Sequence, residues 1–241
     1  MCTLSVIPLS PGPAVRLVVN RDESRLRPAA IPPRVEPFDD RQAILPRDPQ
    51  AGGTWIGAND AGLAMVLLNA TGPAPARPTT RGAIIPSLLD ASALDEAVAR
   101  AERIDVALYA PFRLVILDCA ALAELTIDAG ALRVHERHAI DRPLMYTSSG
   151  LGDALVGAPR RELFASMFAG AGPSRETQDA FHRHRWPGRE GVSVNMSRPE
   201  ARTVSHTIVE ITGDAVTMTY HGAPPDVAIA PVVASIYSQG L

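Results

Sequence analysis

Cys2 is the residue with the clearest capacity for chemistry, because it directly follows the initiator Met1. If Met1 is removed, one residue carries both a thiol and a free α-amine. The amine titrates near pH ~7.7 to 8.0 and the thiol near ~8.5, so the amine can accept the thiol proton at neutral pH. We therefore expect Cys2 to be a nucleophile with its own base. The alternative is a small buried thiol in the core.

A polar run, Asn20-Arg21-Asp22-Glu23, lies at the end of a nearby apolar stretch. Residues 2–8 and 14–20 are short β-branched and apolar runs separated by a Pro-Gly-Pro sequence, which predicts an antiparallel hairpin. In such a pair the start of one strand lies beside the end of the other. The hairpin is therefore expected to bring the Asp22 carboxylate to Cys2.

Composition excludes several classes of site. All 23 basic residues are arginine, which rules out a lysine Schiff base, a Walker-type phosphate loop and a Ser-Lys dyad. Two cysteines, Cys2 and Cys119, are too few for a zinc knuckle, and no metal site is predicted. Cys119 is interpreted as a core strand residue, and a disulfide with Cys2 is the alternative.

Charge and hydropathy limit the kinds of partner and the cellular compartment that can be expected. The net charge of −3 provides no general attraction for nucleic acid, and the basic, aromatic cluster at 181–186 is interpreted as a solvated helix end. No apolar run approaches the ~20 residues of a membrane span. The N-terminus lacks the pattern of a signal peptide. We therefore expect no nucleic-acid partner, no membrane span and a cytoplasmic location.

The apolar pattern predicts strands, then helices, then strands in a single domain, residues 1–241. Beyond the hairpin, strands are predicted at 54–58, 63–69, 112–118, 122–128, 131–136, 144–148, 192–196, 203–211 and 216–221. Helices are predicted at 92–103, with a Ser92 cap, and at 159–169 and 175–185. The proline-rich segment 24–51 is interpreted as a long surface loop. This order predicts an α+β fold with antiparallel sheets covered by helices.

Several short motifs together resemble the NRDE family, also called the transport and Golgi organisation family. They are Met1-Cys2-Thr3, Asn20-Arg21-Asp22-Glu23, Gly52-Gly53-Thr54-Trp55-Ile56-Gly57, Asn69, Thr80-Arg81-Gly82, Thr147-Ser148-Ser149-Gly150 and the run 198–207. That family is distantly similar to N-terminal-nucleophile (Ntn) hydrolases of the bile-salt-hydrolase and penicillin V acylase kind. The resemblance implies a four-layer αββα sandwich of two stacked antiparallel sheets between helical layers.

The resemblance also implies a catalytic group. In those hydrolases the N-terminal Cys attacks a non-peptide amide and forms an acyl-enzyme. By position, Asp22 would hold the α-amine and Asn69 would donate a hydrogen bond to the tetrahedral oxyanion, with Arg21 and Ser148 as further catalytic residues. The structural alternatives are that Asp22 pairs with an arginine and that Asn69 caps a turn.

Three further residues are assigned to the substrate, namely Asn20, Trp55 and Arg81. Trp55 would alternatively pack in the core or in a pocket wall. Arg81 would bind an anionic group of the substrate or form a structural salt bridge.

Two features depart from the hydrolase pattern. The hydrolases have an Arg three residues before the carboxylate, whereas Arg21 is adjacent to Asp22, so in a regular strand the two side chains point to opposite faces. Ser148 stands near a second Asn of the hydrolases and is a shorter group with one hydroxyl donor. These changes point to an altered substrate or a lost activity.

The sequence therefore predicts an Ntn-hydrolase-like protein that acts on a non-peptide amide or thioester by hydrolysis or acyl transfer. Its partner is a small-molecule acyl substrate, and no cofactor is expected. The alternative is a non-catalytic carrier for haem or another hydrophobic or acyl ligand, because relatives of the family have been linked to haem trafficking and lipid homeostasis. In that case exposed histidines, His182 or His184, or Cys2 itself would be the axial ligands of haem.

Overall fold

The computed structural model describes residues 2–9 and 12–238, apart from the side chains of residues 153 and 154. The strands are β1 (Cys2–Leu9), β2 (Ala14–Ser24), β3 (Ile31–Phe38), β4 (Arg41–Arg47), β5 (Ile56–Asn59), β6 (Ala64–Asn69), β7 (Phe112–Leu117), β8 (Ala121–Asp128), β9 (Ala131–Ala139), β10 (Leu144–Thr147), β11 (Ala201–Ile211), β12 (Ala215–His221) and β13 (Val232–Tyr237). The helices are α1 (Leu94–Ala101), α2 (Asp153–Ala171) and α3 (Arg175–Arg183), with 3₁₀ turns at Arg81–Ala83, Pro86–Leu88 and Val106–Leu108.

The strands form two antiparallel sheets. One has the order β10-β1-β2-β11-β12-β13, and the other runs from β3 to β9 in sequence order. The predicted hairpin of β1 and β2 is confirmed, with Cys2 opposite Arg21 and Thr3 opposite Asn20. On its other side β1 pairs with β10, where Thr3 lies opposite Thr147. The strand that begins with Cys2 is therefore held by backbone hydrogen bonds on both sides.

Alternation along the strands divides the apolar residues between three cores. Leu4 and Val6 on β1 pack against the second sheet, in a core that also contains Ile44 and Val66. Ile7 points to the opposite face of β1, where Phe164, Phe168 and Phe181 of α2 and α3 cover the first sheet. The third core lies between the second sheet and α1, which buries Leu94, Ala97, Val98 and Ala101. These layers are the predicted αββα sandwich.

Residues 24–51 contain two strands rather than a long surface loop. They form the hairpin of β3 and β4 at one edge of the seven-stranded sheet. Pro32, Pro33 and Pro37 all lie on β3, the edge strand. Proline lacks the N–H that a ladder requires, so it is excluded from a central strand but tolerated at an edge. The predicted loop is wrong for this reason.

Other segments differ from the predictions in smaller ways. Residues 192–196 form turns and bends instead of a strand, and β13 was not predicted. The N-cap of α1 is Ala93, while Ser92 binds the Glu96 carboxylate through its backbone N–H and its hydroxyl. Cys119 lies between β7 and β8, and both cysteines are free thiols, so the disulfide alternative is wrong. Among the described residues, none of the helices combines the length and the apolar character needed to cross a bilayer.

Candidate functional site

The first residue of β1 opens onto a cleft of about 350 Å³. Cys2 lines this cleft, and so do four other residues predicted for the site, namely Arg21, Trp55, Asn69 and Arg81. Cys2 is 4% exposed, and burial raises the pKa of its thiol above the ordinary value. The sulfur therefore belongs to the wall of a cavity and needs a base to become a nucleophile at neutral pH.

Ser148 holds the backbone of Cys2 from the end of β10. The backbone N–H of Cys2 donates to Ser148 Oγ at 3.2 Å, and the backbone N–H of Ser148 donates to the Cys2 carbonyl at 2.9 Å. The Thr147 hydroxyl also donates to the Cys2 carbonyl, at 3.4 Å. The pairing of β10 with β1 brings Ser148 to this position, and the backbone nitrogen beside the thiol has a fixed hydroxyl partner.

Arg21 lies on the cleft side of β2, as its pairing with Cys2 requires. Its guanidinium carbon is 4.0 Å from the ring centroid of Trp55, a cation–π contact. One Arg21 nitrogen donates to Asp48 at 2.7 Å, and Arg27 donates to the same carboxylate oxygen at 3.0 Å. Burial opposes the charged form, but hydrogen bonds from Arg27 and Ala51 hold the pKa of Asp48 below its ordinary value.

Asp22 points to the opposite face of β2, toward the helices. The Thr203 hydroxyl donates to its carboxylate at 2.6 Å, and Arg160 lies 3.9 Å from the other carboxylate oxygen. Burial raises the pKa of Asp22, and the positive charge of Arg160 opposes that shift. Arg21 and Asp22 therefore flank the start of β1 from the two faces of the sheet, as expected for neighbours in a regular strand.

Arg160 of α2 is a buried residue of this region that sequence reasoning missed. The residue is fully buried, and its guanidinium donates to the hydroxyls of Thr3 at 2.6 Å and Thr147 at 2.9 Å. It also donates to the carbonyls of Val192 and Ser193. A signal existed, because Arg160 shares one helical face with Phe164 and Phe168, and a charge on an apolar face points to buried partners.

Asn20 lies outside the cleft. Its side-chain amide donates to the carbonyls of His182 at 2.9 Å and Val194 at 3.1 Å, and its oxygen lies 2.9 Å from His206 Nδ1. The residue is fully buried between β2 and α3. Its contacts join the first sheet to the helical layer rather than to the cavity.

Asn69 and Arg81 enter the cleft from the second sheet and the segment after it. Asn69 ends β6 and is half-buried. Arg81 begins a 3₁₀ turn and donates to the Pro111 carbonyl at 2.7 Å, so its structural partner is a backbone group.

The motifs at residues 52–57 and 80–82 contact each other at Gly53 and Gly82. The Thr54 N–H donates to the Gly82 carbonyl at 3.0 Å, and a Cβ on Gly53 would lie 2.3 Å from the Gly82 carbonyl carbon. Only a residue without a side chain fits at Gly53. The contact fixes the Thr80–Gly82 segment beside Trp55 in the wall of the cleft.

The histidines proposed as exposed haem ligands are not both exposed. His182 is 0% exposed, and its Nε2 is 2.7 Å from the Ser5 hydroxyl. His184 is partly exposed, but its Nε2 is buried and its ring packs against Trp186. The expectation of exposure for His182 is wrong, because α3 packs this side of the helix onto β1 and β2.

Comparisons with known proteins bear on the family and the fold. A family model described as Transport and Golgi organisation 2 matches residues 1–151, which confirms the family that the motifs predicted. No match was found among curated proteins.

The fold is shared with a number of solved structures, of which two serve as examples. A Caenorhabditis elegans N-acylethanolamine-hydrolyzing acid amidase (NAAA) ortholog is 12% identical, with a TM-score of 0.58 over 86% of this chain and 91% of its own. The C2A mutant of conjugated bile acid hydrolase from Clostridium perfringens is 12% identical, with a TM-score of 0.58 over 98% of this chain and 92% of its own. At this identity the likeness concerns the fold, which is that of the Ntn hydrolases.

Proposed function

The chain belongs to the Transport and Golgi organisation 2 family, and we propose that it uses Cys2 to hydrolyse or transfer the acyl group of a non-peptide amide or thioester. The observation that carries the proposal is the position of Cys2, whose thiol lines the cleft while its backbone nitrogen is held by Ser148. Nucleophile and prospective base thus lie together at the wall of a cavity of ligand size. The proposal requires removal of Met1, which lies outside the described residues.

In the proposed reaction the α-amine of Cys2 accepts the thiol proton, and the thiolate attacks the carbonyl carbon of the substrate. The tetrahedral intermediate expels the leaving group, which takes the proton from the ammonium, and a thioester is left on Cys2. Water, or a second acceptor in the transferase case, then attacks this thioester while the amine accepts its proton. Cys2 is released as a thiol, and the amine returns to its starting state.

The neighbouring residues have distinct parts in this proposal. Ser148 fixes the amine relative to the thiol, and Asp22 stabilises the ammonium from the far face of the sheet. Asn69 lines the same cleft and donates its side-chain N–H to the oxyanion, a contact worth about 3 kcal/mol in comparable sites. Arg21 contributes a positive charge near the nucleophile and positions Trp55.

The two structural neighbours support the reaction class. One is named as an N-acylethanolamine-hydrolyzing acid amidase and the other as a conjugated bile acid hydrolase, whose structure carries the substitution C2A. Both names denote hydrolases, and the second protein was altered at the position that corresponds in number to Cys2 here. Their substrates are properties of those proteins and leave the substrate of this chain open.

The test compares Cys2→Ala with Cys119→Ala as the matched control. Acyl p-nitroanilides and acyl-coenzyme A thioesters serve as probes, and intact-mass spectrometry reports the state of Met1 and any acyl adduct. We expect one adduct on wild type, a loss of turnover of at least roughly a thousandfold in Cys2→Ala, and no change in Cys119→Ala. Equal turnover by wild type and Cys2→Ala would refute the catalytic assignment.

The carrier alternative has less support. His182 is buried with a hydroxyl partner at Nε2, which leaves Cys2 as the candidate ligand that lines a cavity. A Soret shift on titration with haem, present in wild type and absent in Cys2→Ala, would favour the carrier over the hydrolase.

A further inference from the structure

The cleft that contains Cys2 has an imbalance of charge among its lining residues. Three arginines line it, Arg21, Arg27 and Arg81, against two carboxylates, Glu23 and Asp48. Both carboxylates are already engaged by arginine. Asp48 accepts from Arg21 and Arg27, and Glu23 lies 3.4 Å from Arg21. One cation therefore lacks a matching anion in the wall.

That cation is Arg81. Within the described part of the chain no carboxylate lies in ion-pair contact with it, and its hydrogen bond goes to the neutral Pro111 carbonyl through a single nitrogen. Burial lowers the pKa of Arg81, and the negative charge of Glu23, which makes no direct contact with it, opposes that shift. A guanidinium has five N–H donors in a planar fork, so most of its donors are free for a ligand.

A second donor of the same cleft lacks a partner. The indole Nε1 of Trp55 is buried and has no hydrogen-bond partner among the described residues, although Trp55 is only 6% exposed. A buried donor without an acceptor is costly, so this group adds to the unsatisfied polar character of the segment that forms this wall of the cleft. Arg81 and Trp55 are brought to adjacent parts of the wall by the Gly53–Gly82 contact.

We infer that the substrate of Cys2 is an acyl compound that carries an oxyanionic group, which Arg81 binds in the cleft. This inference rests on the proposed function, because it assigns the anion to the cleft of the nucleophile. A carboxylate, sulfonate or phosphate matches the guanidinium fork with two parallel hydrogen bonds. The charge of the bound group also restores balance to a wall with three cations and two anions.

The test uses binding rather than turnover. Calorimetry with Cys2→Ala compares N-decanoylglycine with its methyl ester, two ligands that differ in charge at one end. The acid is expected to bind at least about tenfold more tightly, the difference a charged hydrogen bond provides. Arg81→Gln should reduce the preference to below about threefold, while Arg81→Lys should retain part of it. Arg77→Gln is the matched control, because Arg77 is exposed in the same loop and lies outside the cleft wall.

Equal binding of acid and ester, or a preference that persists in Arg81→Gln, overturns the inference. If neither ligand binds at millimolar concentration, the charge preference of the cleft is tested with two small thiol reagents of opposite charge. Sulfonatoethyl methanethiosulfonate should modify Cys2 of wild type at least about tenfold faster than its trimethylammonioethyl counterpart, relative to Cys119 in the same molecule. No charge preference at Cys2, or no modification of Cys2, also overturns it. The proposed function fails separately if the binding preference is present but wild type forms no acyl adduct.

Discussion

Arg160 connects several separate segments beneath the cleft that contains Cys2. Its guanidinium contacts β1 at Thr3 and β10 at Thr147, and it lies near Asp22 of β2. All of these groups are buried, so none can exchange its partner for water. Removal of this one cation would leave two hydroxyls and two carbonyls with fewer donors, and Asp22 would lose the positive charge that most opposes the burial of its carboxylate.

Arg160→Met should therefore destabilise the fold strongly, although methionine has a comparable reach. We expect the free energy of unfolding to fall by about 3 to 5 kcal/mol, the usual cost of breaking a buried ionic network from one side. Urea denaturation followed by circular dichroism measures the change. Arg161→Met is the control, because Arg161 is the next residue of α2 and is exposed, and it should change stability by less than about 0.5 kcal/mol. A loss of equal size in both variants would show that the buried contacts contribute little.

Between elements, the contact of Gly53 with Gly82 is the tightest constraint on the cleft. The backbone before β5 and the 3₁₀ turn at Arg81–Ala83 approach so closely that a side chain at Gly53 has no room. This approach holds the turn that carries Arg81 against the segment before Trp55, and both of these residues line the cleft.

Gly53→Ala should displace the turn and destabilise the protein by about 1 to 3 kcal/mol, the range found for overpacking in closely packed sites. Gly170→Ala should act in the opposite direction. Gly170 lies within α2, and a Cβ at this position would have no neighbouring atom within 4 Å, so alanine there adds about 0.5 to 1 kcal/mol of helix stability. The shift of the urea denaturation midpoint shows whether each variant is less or more stable than wild type. A stabilised Gly53→Ala would mean that the turn moves away without cost.

The elements that carry Cys2 and Arg21 could be predicted because their signals are local. Alternation and a Pro-Gly-Pro turn define the hairpin, and antiparallel pairing then places the two residues together. The same pairing also determines the face on which Asn20 lies, which is not the face predicted for a substrate-binding residue. Cys2 and Arg21 share one face, so Asn20 must lie on the other, toward α3.

Other features depend on contacts between distant segments and gave no local signal. The β3–β4 hairpin was hidden by its prolines, which are tolerated only because β3 becomes an edge. The burial of Arg160 depends on partners from β1, β10 and the segment after α3. Helical periodicity shows that a charged residue lies on an apolar face of α2, but it does not show which distant groups bind that charge.

Over the whole molecule, two buried histidines connect stability to pH. His206 contacts Asn20 and lies between the rings of His182 and His221, at 5.7 and 5.8 Å, with Arg16 and Arg183 adding positive charge. Burial first, and then the charges of His221, Arg16 and Arg183, lowers the pKa of His206 to about 3. Burial also holds the pKa of His182 well below its ordinary value. Both rings are therefore neutral in the folded state, and they take up protons near pH ~6.5 in the unfolded state.

The sign of the pH effect follows. Below pH ~6.5 the unfolded state binds more protons than the folded state, so the free energy of unfolding should fall as the pH is lowered, by at most about 1.4 kcal/mol per unit for each histidine. His206→Gln should make that slope shallower by up to one such contribution. Asp22, whose pKa is raised, acts in the opposite sense, and its contribution is the same in both proteins and cancels in the comparison. Urea denaturation between pH 7.5 and 5 measures both slopes, and identical slopes would argue against a neutral buried His206.

The guanidinium that reaches from α2 to Thr3 joins the outer helical layer to the strand that begins with Cys2. The cleft lies on the other face of that sheet, so the strand that carries Cys2 is anchored by a layer that contributes none of the described residues that line the cleft. A substitution in α2 that displaces this anchor is therefore expected to shift Cys2 while the rest of the cleft wall keeps its sequence unchanged.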